Sequence, residues 1–262
     1  MYAFEFKRPK TLSEAVTALG GEDAQALGGG QTLIPTLKQR LAAPATLVSL
    51  NGIDEIKGIC TDDQGRLCIG GGTTHAAVAK GAGAYPALAA LAANIGDPAV
   101  RSRGTIGGSV ANNDPSACYP SAVLASGATV VTNTRQIAAD DFFQGMFTTA
   151  LEPGEIITEV RFPIPQKANY QKFVQPASRF ALVGVFVAKY ADGVRVAVTG
   201  ASSNGVFRWT EAEKALSANF SAKALDGLKA SADGLISDIH GSAEYRAHLI
   251  KVMTGRAVTA AG

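Results

Sequence analysis

The sequence is poor in the side chains that ligate metals. Its 262 residues include three cysteines and three histidines, and no two cysteines form a Cys-x-x-Cys pair. An iron–sulfur cluster needs about four cysteine ligands, so the composition excludes such a cluster on this chain. A zinc site has no recognisable ligand spacing either. We therefore predict no bound metal, and we expect Cys60 and Cys68, which can face one another across a hairpin, to stay free thiols in a reducing compartment.

The sequence has no large excess of positive or negative charge and no long apolar run. The formal net charge is +2, there is one tryptophan, and no basic run is interleaved with aromatic residues. These features predict no nucleic-acid partner and no anionic membrane surface as partner. No apolar run reaches the roughly 18 residues that a membrane-spanning helix needs, and the first ten residues, MYAFEFKRPK, lack the apolar region of a signal peptide. We expect a cytoplasmic chain without membrane insertion.

The length and the 47% of hydrophobic residues are enough for a sizeable core and for up to three small domains. Strand and helix signals alternate over residues 1–55, and a hairpin followed by helices is predicted within 56–163. Pro163 and Pro165 mark a boundary. Residues 164–262 then predict a sheet followed by helices. The prediction is an α+β fold with two α/β subdomains and a small C-terminal α+β domain.

Individual elements follow from local signals. Thr11 and Glu14 have the spacing of a capping box, which predicts a helix over 12–19 ended by two glycines. Apolar periodicity predicts further elements, namely a helix over 33–41, a helical turn over 140–147, a hairpin formed by 180–190 and 194–199, and helices over 210–216, 222–235 and 242–258.

A run of glycines follows the predicted strand at 24–27. Residues 28–33, GGGQTL, combine glycines that permit close backbone approach with the start of a helix, an arrangement suited to a pyrophosphate. The run is not GxGxxG and no acidic residue follows about 20 residues later, so a Rossmann nicotinamide site is excluded. Taken alone, the run is also typical of a tight strand–helix turn.

A second glycine-containing stretch, TIGGS, lies at 105–109. Thr105 offers a hydroxyl group, and the glycines are expected to offer backbone donors, so that a side chain at Gly107 would block a phosphate. Ser109, Asn112 and Asp114 add polar groups for a ribityl chain, a ribose or a water molecule. Taken alone, this stretch is equally typical of a glycine-rich hairpin.

Considered together, the two stretches resemble the FAD-binding medium subunit of the molybdenum hydroxylase family, which includes carbon monoxide, xanthine and nicotinate dehydrogenases. The similarity runs over essentially the whole chain. The motifs that carry it are FEF at 4–6 with Pro9, LSEA at 12–15, GGGQTLIP at 28–35, IGGGTTH at 69–75, RGTIGGS at 103–109, Asp114-Pro115 with Pro120, GEII at 154–157, ALV at 181–183 and GSAEYR at 241–246.

The resemblance implies a two-subdomain FAD-binding fold of the PCMH type, formed by residues 1–55 and 56–163, with FAD between the subdomains and a C-terminal domain over 164–262. By position, residues 28–33 would wrap the pyrophosphate, 105–109 would bind the phosphate and ribityl region, and Ile95 and Ile157 would line the isoalloxazine ring. Lys172 would lie near the flavin. The implied cofactor-binding residues are Gly28, Gly29, Gly30, Gln31, Thr32, Leu33, Ile95, Thr105, Ile106, Gly107, Gly108, Ser109, Asn112, Asp114, Cys118, Ile157 and Lys172.

The chain departs from the family pattern at two of these positions. Cys118 stands where many members have Asp or Glu, whose carboxylate can bond an adenosine hydroxyl far better than a thiol can. Either Asp114 takes this role or the contact is missing. Gln31 replaces the usual His or Asn and keeps a polar group.

The implied function is electron transfer from [2Fe–2S] clusters on a small partner subunit, through FAD, to an external acceptor. Substrate chemistry would occur at the molybdenum cofactor of a large subunit, in a dimer of heterotrimers. The alternatives are a stand-alone FAD-dependent oxidoreductase and a non-catalytic assembly subunit that has lost flavin. No catalytic residue is predicted, and we interpret His75 as a helix-start histidine satisfied by local backbone.

Overall fold

The computed structural model describes all 262 residues and contains three β-sheets and a short two-stranded ribbon. Each sheet lies within one of the three segments proposed from the sequence. No helix combines the length and apolar character that crossing a membrane would require.

The first sheet is parallel, with strand order β1-β3-β2. Thr11 accepts a hydrogen bond from the Glu14 N–H, and Glu14 in turn accepts one from the Lys10 N–H, so the predicted N-terminal cap is confirmed. The second helix ends three residues before its predicted end, because the chain turns at Arg40 with a positive φ of 60°. The elements are β1 (Glu5–Lys7), α1 (Leu12–Leu19), β2 (Ala24–Leu27), α2 (Leu33–Lys38) and β3 (Thr46–Ser49).

The second sheet is antiparallel, with order β4-β5-β10-β6-β7, and it packs against several short helices. The predicted helical turn over 140–147 is only partly present, because the chain passes into a strand at Phe143. The elements are β4 (Ile59–Thr61), β5 (Leu67–Gly70), α3 (His75–Gly81), α4 (Pro86–Ala93), α5 (Pro98–Arg103), α6 (Ile106–Asn112), α7 (Tyr119–Ala125), β6 (Thr129–Thr132), β7 (Gln136–Ala138), α8 (Ala139–Phe142), β8 (Phe143–Gly145), β9 (Thr148–Thr149) and β10 (Ile157–Phe162).

The third sheet is antiparallel, with order β11-β12-β13-β14, and the C-terminal helix packs on it. The predicted hairpin is confirmed, with Lys189 opposite Val194. The first strand of the hairpin is buried from Ala181 to Ala188 and contributes to the core. Strands β11 and β14 were not predicted. The elements are β11 (Lys167–Val174), β12 (Ala181–Lys189), β13 (Val194–Thr199), β14 (Phe207–Arg208), α9 (Thr210–Ala218) and α10 (Ala243–Ala261).

The predicted helix over 222–235 is wrong. Only a 3₁₀ turn at Ala222–Leu225 forms, and irregular backbone follows. Gly227 and Gly234 are weak helix formers, and Gly234 has a positive φ of 71°. Ser231 accepts a hydrogen bond from the Asp233 N–H, a local turn that competes with a helix.

The third sheet is anchored to the loop before α7. The Thr199 hydroxyl lies 2.8 Å from the Pro115 carbonyl oxygen and 2.7 Å from that of Ala117, and the Gly200 N–H donates to Pro115. The C-terminal domain therefore helps to position residues 114–118, which belong to the site described next.

Candidate functional site

A cavity with a volume of about 630 Å³ lies where all three segments meet. Its wall includes Leu27 and Leu50, at the carboxyl ends of the parallel strands β2 and β3, and residues of the second segment from Gly71 to Ile157. The third segment contributes Lys172 and residues 178–180. The carboxyl edge of a parallel sheet is a usual place for a ligand, and the volume is typical of a small-molecule site.

The loop over residues 28–33 presents a row of unused donors. None of its six backbone N–H groups donates to another protein atom, and all six residues line the cavity. Gly30 has a φ of 71°, a conformation that favours glycine. The Gln31 side chain donates to the Gly29 carbonyl oxygen at 3.1 Å and stays within the loop. Successive free N–H groups in a turn attract anions, so this loop has the donor set that a pyrophosphate requires.

The second stretch is built differently from the prediction. The N–H groups of Ile106 and of both glycines are already used. Ile106 donates to the Thr73 carbonyl oxygen and Gly107 to that of Gly71, at 3.0 and 2.8 Å. The Gly108 N–H donates to the Thr105 hydroxyl at 3.1 Å, which makes Thr105 the N-cap of α6. The prediction that the glycines offer free backbone donors is therefore wrong, and the stretch is the first turn of a helix, not a hairpin.

The two glycines of α6 have separate roles. A Cβ atom at Gly107 would lie 2.6 Å from the Gly71 carbonyl oxygen, so glycine is required there for the helix to approach the neighbouring backbone. Gly108 is exposed to the cavity, and a Cβ there would lie 2.9 Å from the Thr105 hydroxyl, a side-chain atom, with no backbone of another segment in contact. A side chain at Gly108 would therefore enter the cavity, whereas one at Gly107 would first collide with the Gly71 backbone, and the blocking of a ligand stays a prediction.

The two stretches are in direct contact. A Cβ atom at Gly29 would overlap the backbone of Arg103 and Gly104, and one at Gly28 would lie 3.1 Å from the Thr105 hydroxyl. The free donors of the first loop are thereby placed beside the capped start of α6.

Sixteen of the seventeen predicted cofactor-binding residues line this one cavity. They are Gly28, Gly29, Gly30, Gln31, Thr32, Leu33, Ile95, Thr105, Gly107, Gly108, Ser109, Asn112, Asp114, Cys118, Ile157 and Lys172. Ile106 does not line it, because its side chain is fully buried in the core. The binding role of each residue stays a prediction.

Asn113 and Asp114, at the end of α6, have different partners. The Asn113 side chain donates to the carbonyl oxygens of Gly145 and Thr148, at 2.7 and 2.9 Å, and is committed to the fold. Asp114 lines the cavity and its Oδ1 accepts from the Ser116 N–H. Burial raises the pKa of Asp114 above its usual value. Its second oxygen has no protein partner, so Asp114 can accept a hydrogen bond from a ligand.

Lys172 connects two parts of the cavity wall. Its ammonium group donates to the carbonyl oxygens of Asn94 and Arg179, at 2.6 and 3.1 Å, and lies 3.7 Å from the Cys118 sulfur. Arg101, which sequence reasoning missed, donates to the Ile95 and Gly96 carbonyl oxygens, at 3.0 and 3.1 Å. Both cations therefore hold the turn that carries Ile95. No sequence pattern indicated these contacts, and the one between Lys172 and Asn94 joins distant parts of the chain.

Sequence reasoning also missed the residues at the cavity margin. Phe147 and Phe180 line it with 56% and 47% of their surface exposed, and Arg179 lies beside Phe180. Phe147 and Arg179 have positive φ angles of 55° and 63°. An aromatic residue in such a conformation cannot be recognised from a sequence without a turn signal.

His75 does not have the environment predicted from the sequence. Its backbone N–H donates to Gly104, but its ring Nδ1 is buried without a hydrogen-bond partner. The interpretation of this side chain as satisfied by local backbone is therefore wrong. The ring packs 5.3 Å from that of Tyr119, and burial, with a smaller effect of the Arg101 charge, lowers the pKa of His75 to about 4. The imidazole is neutral at neutral pH.

This environment predicts a loss of stability in acid. Because the pKa of His75 falls from 6.5 when unfolded to about 4 when folded, its contribution is fully present above pH 6.5 and declines as the pH falls toward 4. At pH 5 the loss is about 2 kcal/mol. Thermal unfolding at pH 5 and 7.5 should show a smaller difference for His75→Gln than for the wild type. The control His248→Gln, at an exposed position of α10, should keep the wild-type difference, and equal differences in all three proteins would contradict this role.

Comparisons with known proteins agree with this arrangement. A family model described as "FAD binding domain in molybdopterin dehydrogenase" matches residues 2–165. The carbon monoxide dehydrogenase medium chain of Afipia carboxidovorans is 36% identical over 276 residues, which cover 98% of this chain and 96% of the relative. The nicotine 6-hydroxylase medium subunit of Paenarthrobacter nicotinovorans is 33% identical, with 99% and 98% covered.

A solved structure matches over the same extent. In the reconstituted CO dehydrogenase from Oligotropha carboxidovorans, one chain superimposes with a TM-score of 0.90 at 33% identity, covering 99% of this chain and 98% of that one. The similarity therefore includes the C-terminal domain as well as the residues that the family model matches.

Proposed function

The chain belongs to the family of FAD-binding medium subunits of molybdenum hydroxylases, and we propose that it binds FAD in the cavity described above and serves as the electron-transfer subunit of such a complex. The single observation that carries the proposal is the row of six unused N–H groups over residues 28–33, on a loop that touches the start of α6.

The cavity fits the cofactor in the chemistry of its donors. The free N–H groups would hold the pyrophosphate, and the exposed Gly108 leaves room for close approach of a ligand to α6. Ser109 and Asn112, whose side chains have no protein partner, would serve the ribityl chain, and Ile95 and Ile157 would cover the ring system. Three chain segments would thus contribute to one site, and we keep the proposed division at 1–55, 56–163 and 164–262.

Asp114 is the better candidate for an adenosine hydroxyl. Its carboxylate has a free oxygen in the cavity, whereas the Cys118 thiol is buried and faces the Lys172 ammonium group. A carboxylate is also the stronger acceptor. Although position 118 has no acidic residue, Asp114, which lies four positions earlier, is available in the cavity as an acidic acceptor.

When bound, FAD accepts and gives up electrons singly or in pairs, which would allow this chain to link [2Fe–2S] clusters of a partner to an external acceptor. The chain's own residues would bind and orient the group, and the apolar wall would limit access of water. We propose a large molybdenum-cofactor subunit and a small [2Fe–2S] subunit as partners, in a dimer of heterotrimers. The relatives are themselves named medium chains or medium subunits.

The relatives also favour a subunit over a stand-alone flavoenzyme. Medium chains named for carbon monoxide dehydrogenase, nicotine 6-hydroxylase and glyceraldehyde dehydrogenase are 36%, 33% and 33% identical to this chain. Similar identity to proteins named for such different substrates is expected if the substrate is bound elsewhere. The complete donor row argues against an assembly subunit that has lost flavin.

Purification of the tagged chain from its native source tests the proposal. We expect a large and a small partner to co-purify, with about four iron atoms and about one molybdenum per FAD, as two [2Fe–2S] clusters and one molybdenum cofactor would give. A chain that purifies alone with FAD would support the stand-alone enzyme, and a complex without flavin would support the assembly subunit.

Lys172→Met is expected to weaken FAD binding about tenfold, which corresponds to about 1.4 kcal/mol. The substitution removes the ammonium group that ties the Asn94 and Arg179 carbonyls together, so the cavity wall loses a support. Fluorescence titration of the apoprotein with FAD measures the effect. Lys167→Met is the matched control, because Lys167 lies on the same strand, is exposed and does not line the cavity. Equal affinity of both variants would contradict this role of Lys172.

A further inference from the structure

The second sheet carries two cysteines directly opposite one another. Strands β4 and β5 pair antiparallel with Cys60 opposite Cys68, and both are free thiols. Side chains alternate between the two faces of a strand. Leu67 and Ile69 therefore enter the core, and Cys68 lies on the other face together with Cys60.

The neighbouring strand adds a carboxylate to this face. Strand β10 pairs with β5 so that Arg161 is opposite Cys68 and Glu159 is opposite Gly70. The two sulfur atoms and a carboxylate oxygen of Glu159 all lie within 4.8 Å of one another. Two sulfurs that are each about 2.3 Å from a tetrahedral metal ion are about 3.8 Å apart. Small side-chain rotations therefore bring the three donors around one point.

We propose that Cys60, Cys68 and Glu159 bind one thiophilic divalent cation, with Zn²⁺ as the natural candidate and water in the fourth position. Two thiolates and a carboxylate form a donor set that Zn²⁺ accepts. Binding converts two thiols into thiolates and releases two protons to solvent, with no change of oxidation state. Cys60 is exposed and Glu159 half-buried, so the cation has an open path.

The charges on this face are compatible with a cation. Arg161 donates to one Glu159 oxygen, which leaves the other available, and Arg66 is paired with Asp62 at 2.7 Å. Burial and, secondly, the Glu159 carboxylate raise the pKa of the Cys68 thiol to about 11. A negative neighbour that disfavours a thiolate alone favours a thiolate with a bound dication.

The third donor distinguishes this proposal from a disulfide. Hydrogen bonds join Gly58 to Gly70 and Asp62 to Arg66, on either side of the two cysteines. Cys60 and Cys68 are therefore a hydrogen-bonded cross-strand pair, whose Cα atoms are about 5.5 Å apart. A disulfide also allows this distance. A disulfide, however, gives no role to the nearby carboxylate. None of the three residues lines the cavity described above, so the proposal is independent of FAD binding. No sequence motif indicates this site, because Glu159 lies about ninety residues after Cys68 and is brought beside it by the pairing of β10 with β5.

Cobalt titration of the tag-free full chain tests the proposal. Co²⁺ is expected to give a thiolate-to-cobalt charge-transfer absorption that saturates at about one ion per chain, to release about two protons, and to be displaced by an equimolar amount of Zn²⁺. Cys60→Ser, at an exposed position, should abolish the band while circular dichroism stays unchanged. Glu159→Gln should weaken binding at least about tenfold.

Cys118→Ser is the matched control, because Cys118 is the remaining cysteine and lies away from this face, so its cobalt band should equal that of the wild type. A band that survives in Cys60→Ser, or an unchanged affinity in Glu159→Gln, would overturn the site. An intact mass that lacks two hydrogens in freshly purified protein, with Cys60 linked to Cys68, would overturn it in favour of a redox pair.

Discussion

Gly29→Ala is expected to lower FAD affinity at least about 100-fold, which corresponds to about 2.7 kcal/mol. A Cβ atom at this position would overlap the Arg103 carbonyl group and the Gly104 backbone. Because both sides of the contact are main chain, neither can rotate away, and the loop with the free N–H groups must move from the start of α6. The donors for the pyrophosphate would then no longer lie beside the rest of the cavity.

Gly28→Ala provides the matched control for this loop. Its Cβ atom would lie 3.1 Å from the Thr105 hydroxyl, a side-chain atom that can shift slightly, so we expect at most about a tenfold loss of affinity. Fluorescence titration of the two apoproteins measures the difference, and circular dichroism checks that both are folded. Equal affinities for the two variants would show that the contact between the loops has no part in binding.

Gly108→Val is expected to abolish FAD retention in a chain that stays folded. The added side chain would enter the cavity, and its Cβ atom would lie 2.9 Å from the Thr105 hydroxyl, so we expect a stability cost of about 1 kcal/mol from disturbing that cap. Gly107→Ala, in contrast, is expected to destabilise the apoprotein, because its Cβ would lie 2.6 Å from the Gly71 carbonyl oxygen. Overpacking of this kind costs about 1–3 kcal/mol.

The two adjacent positions are best compared in one experiment. Thermal unfolding of the apoproteins should place Gly107→Ala well below the wild type and Gly108→Val close to it. The flavin content after purification should be near zero for Gly108→Val. If Gly108→Val retains a full complement of flavin, α6 does not face the cofactor.

Local signals allowed much of the fold to be predicted. The cap formed by Thr11 and Glu14 uses residues three apart, and the glycines at 28–30 directly follow a strand, so both were recognised from short windows of sequence. The helix over 222–235 failed because apolar spacing was given more weight than Gly227 and Gly234. The low helix propensity of glycine and the hydrogen bonds of local turns prevent a helix in that segment.

The candidate site shows the same division between local and long-range information. The residues of TIGGS were identified, but the N–H groups of Ile106 and Gly107 donate to Thr73 and Gly71, which lie more than thirty residues earlier in the chain. The hydrogen bond from Lys172 to the Asn94 carbonyl oxygen likewise joins residues that are 78 positions apart. Such contacts follow from the packing of segments and have no signature in either stretch alone.

The flavin content of the purified chain tests the central claim most directly. Protein purified in the presence of excess FAD and then freed of unbound flavin should release about one FAD per chain on denaturation, as expected if FAD occupies the cavity beside the row of donors. The identity of the flavin can be checked by chromatography. A chain that is folded, as judged by circular dichroism, and that neither retains flavin nor binds added FAD saturably would contradict the account.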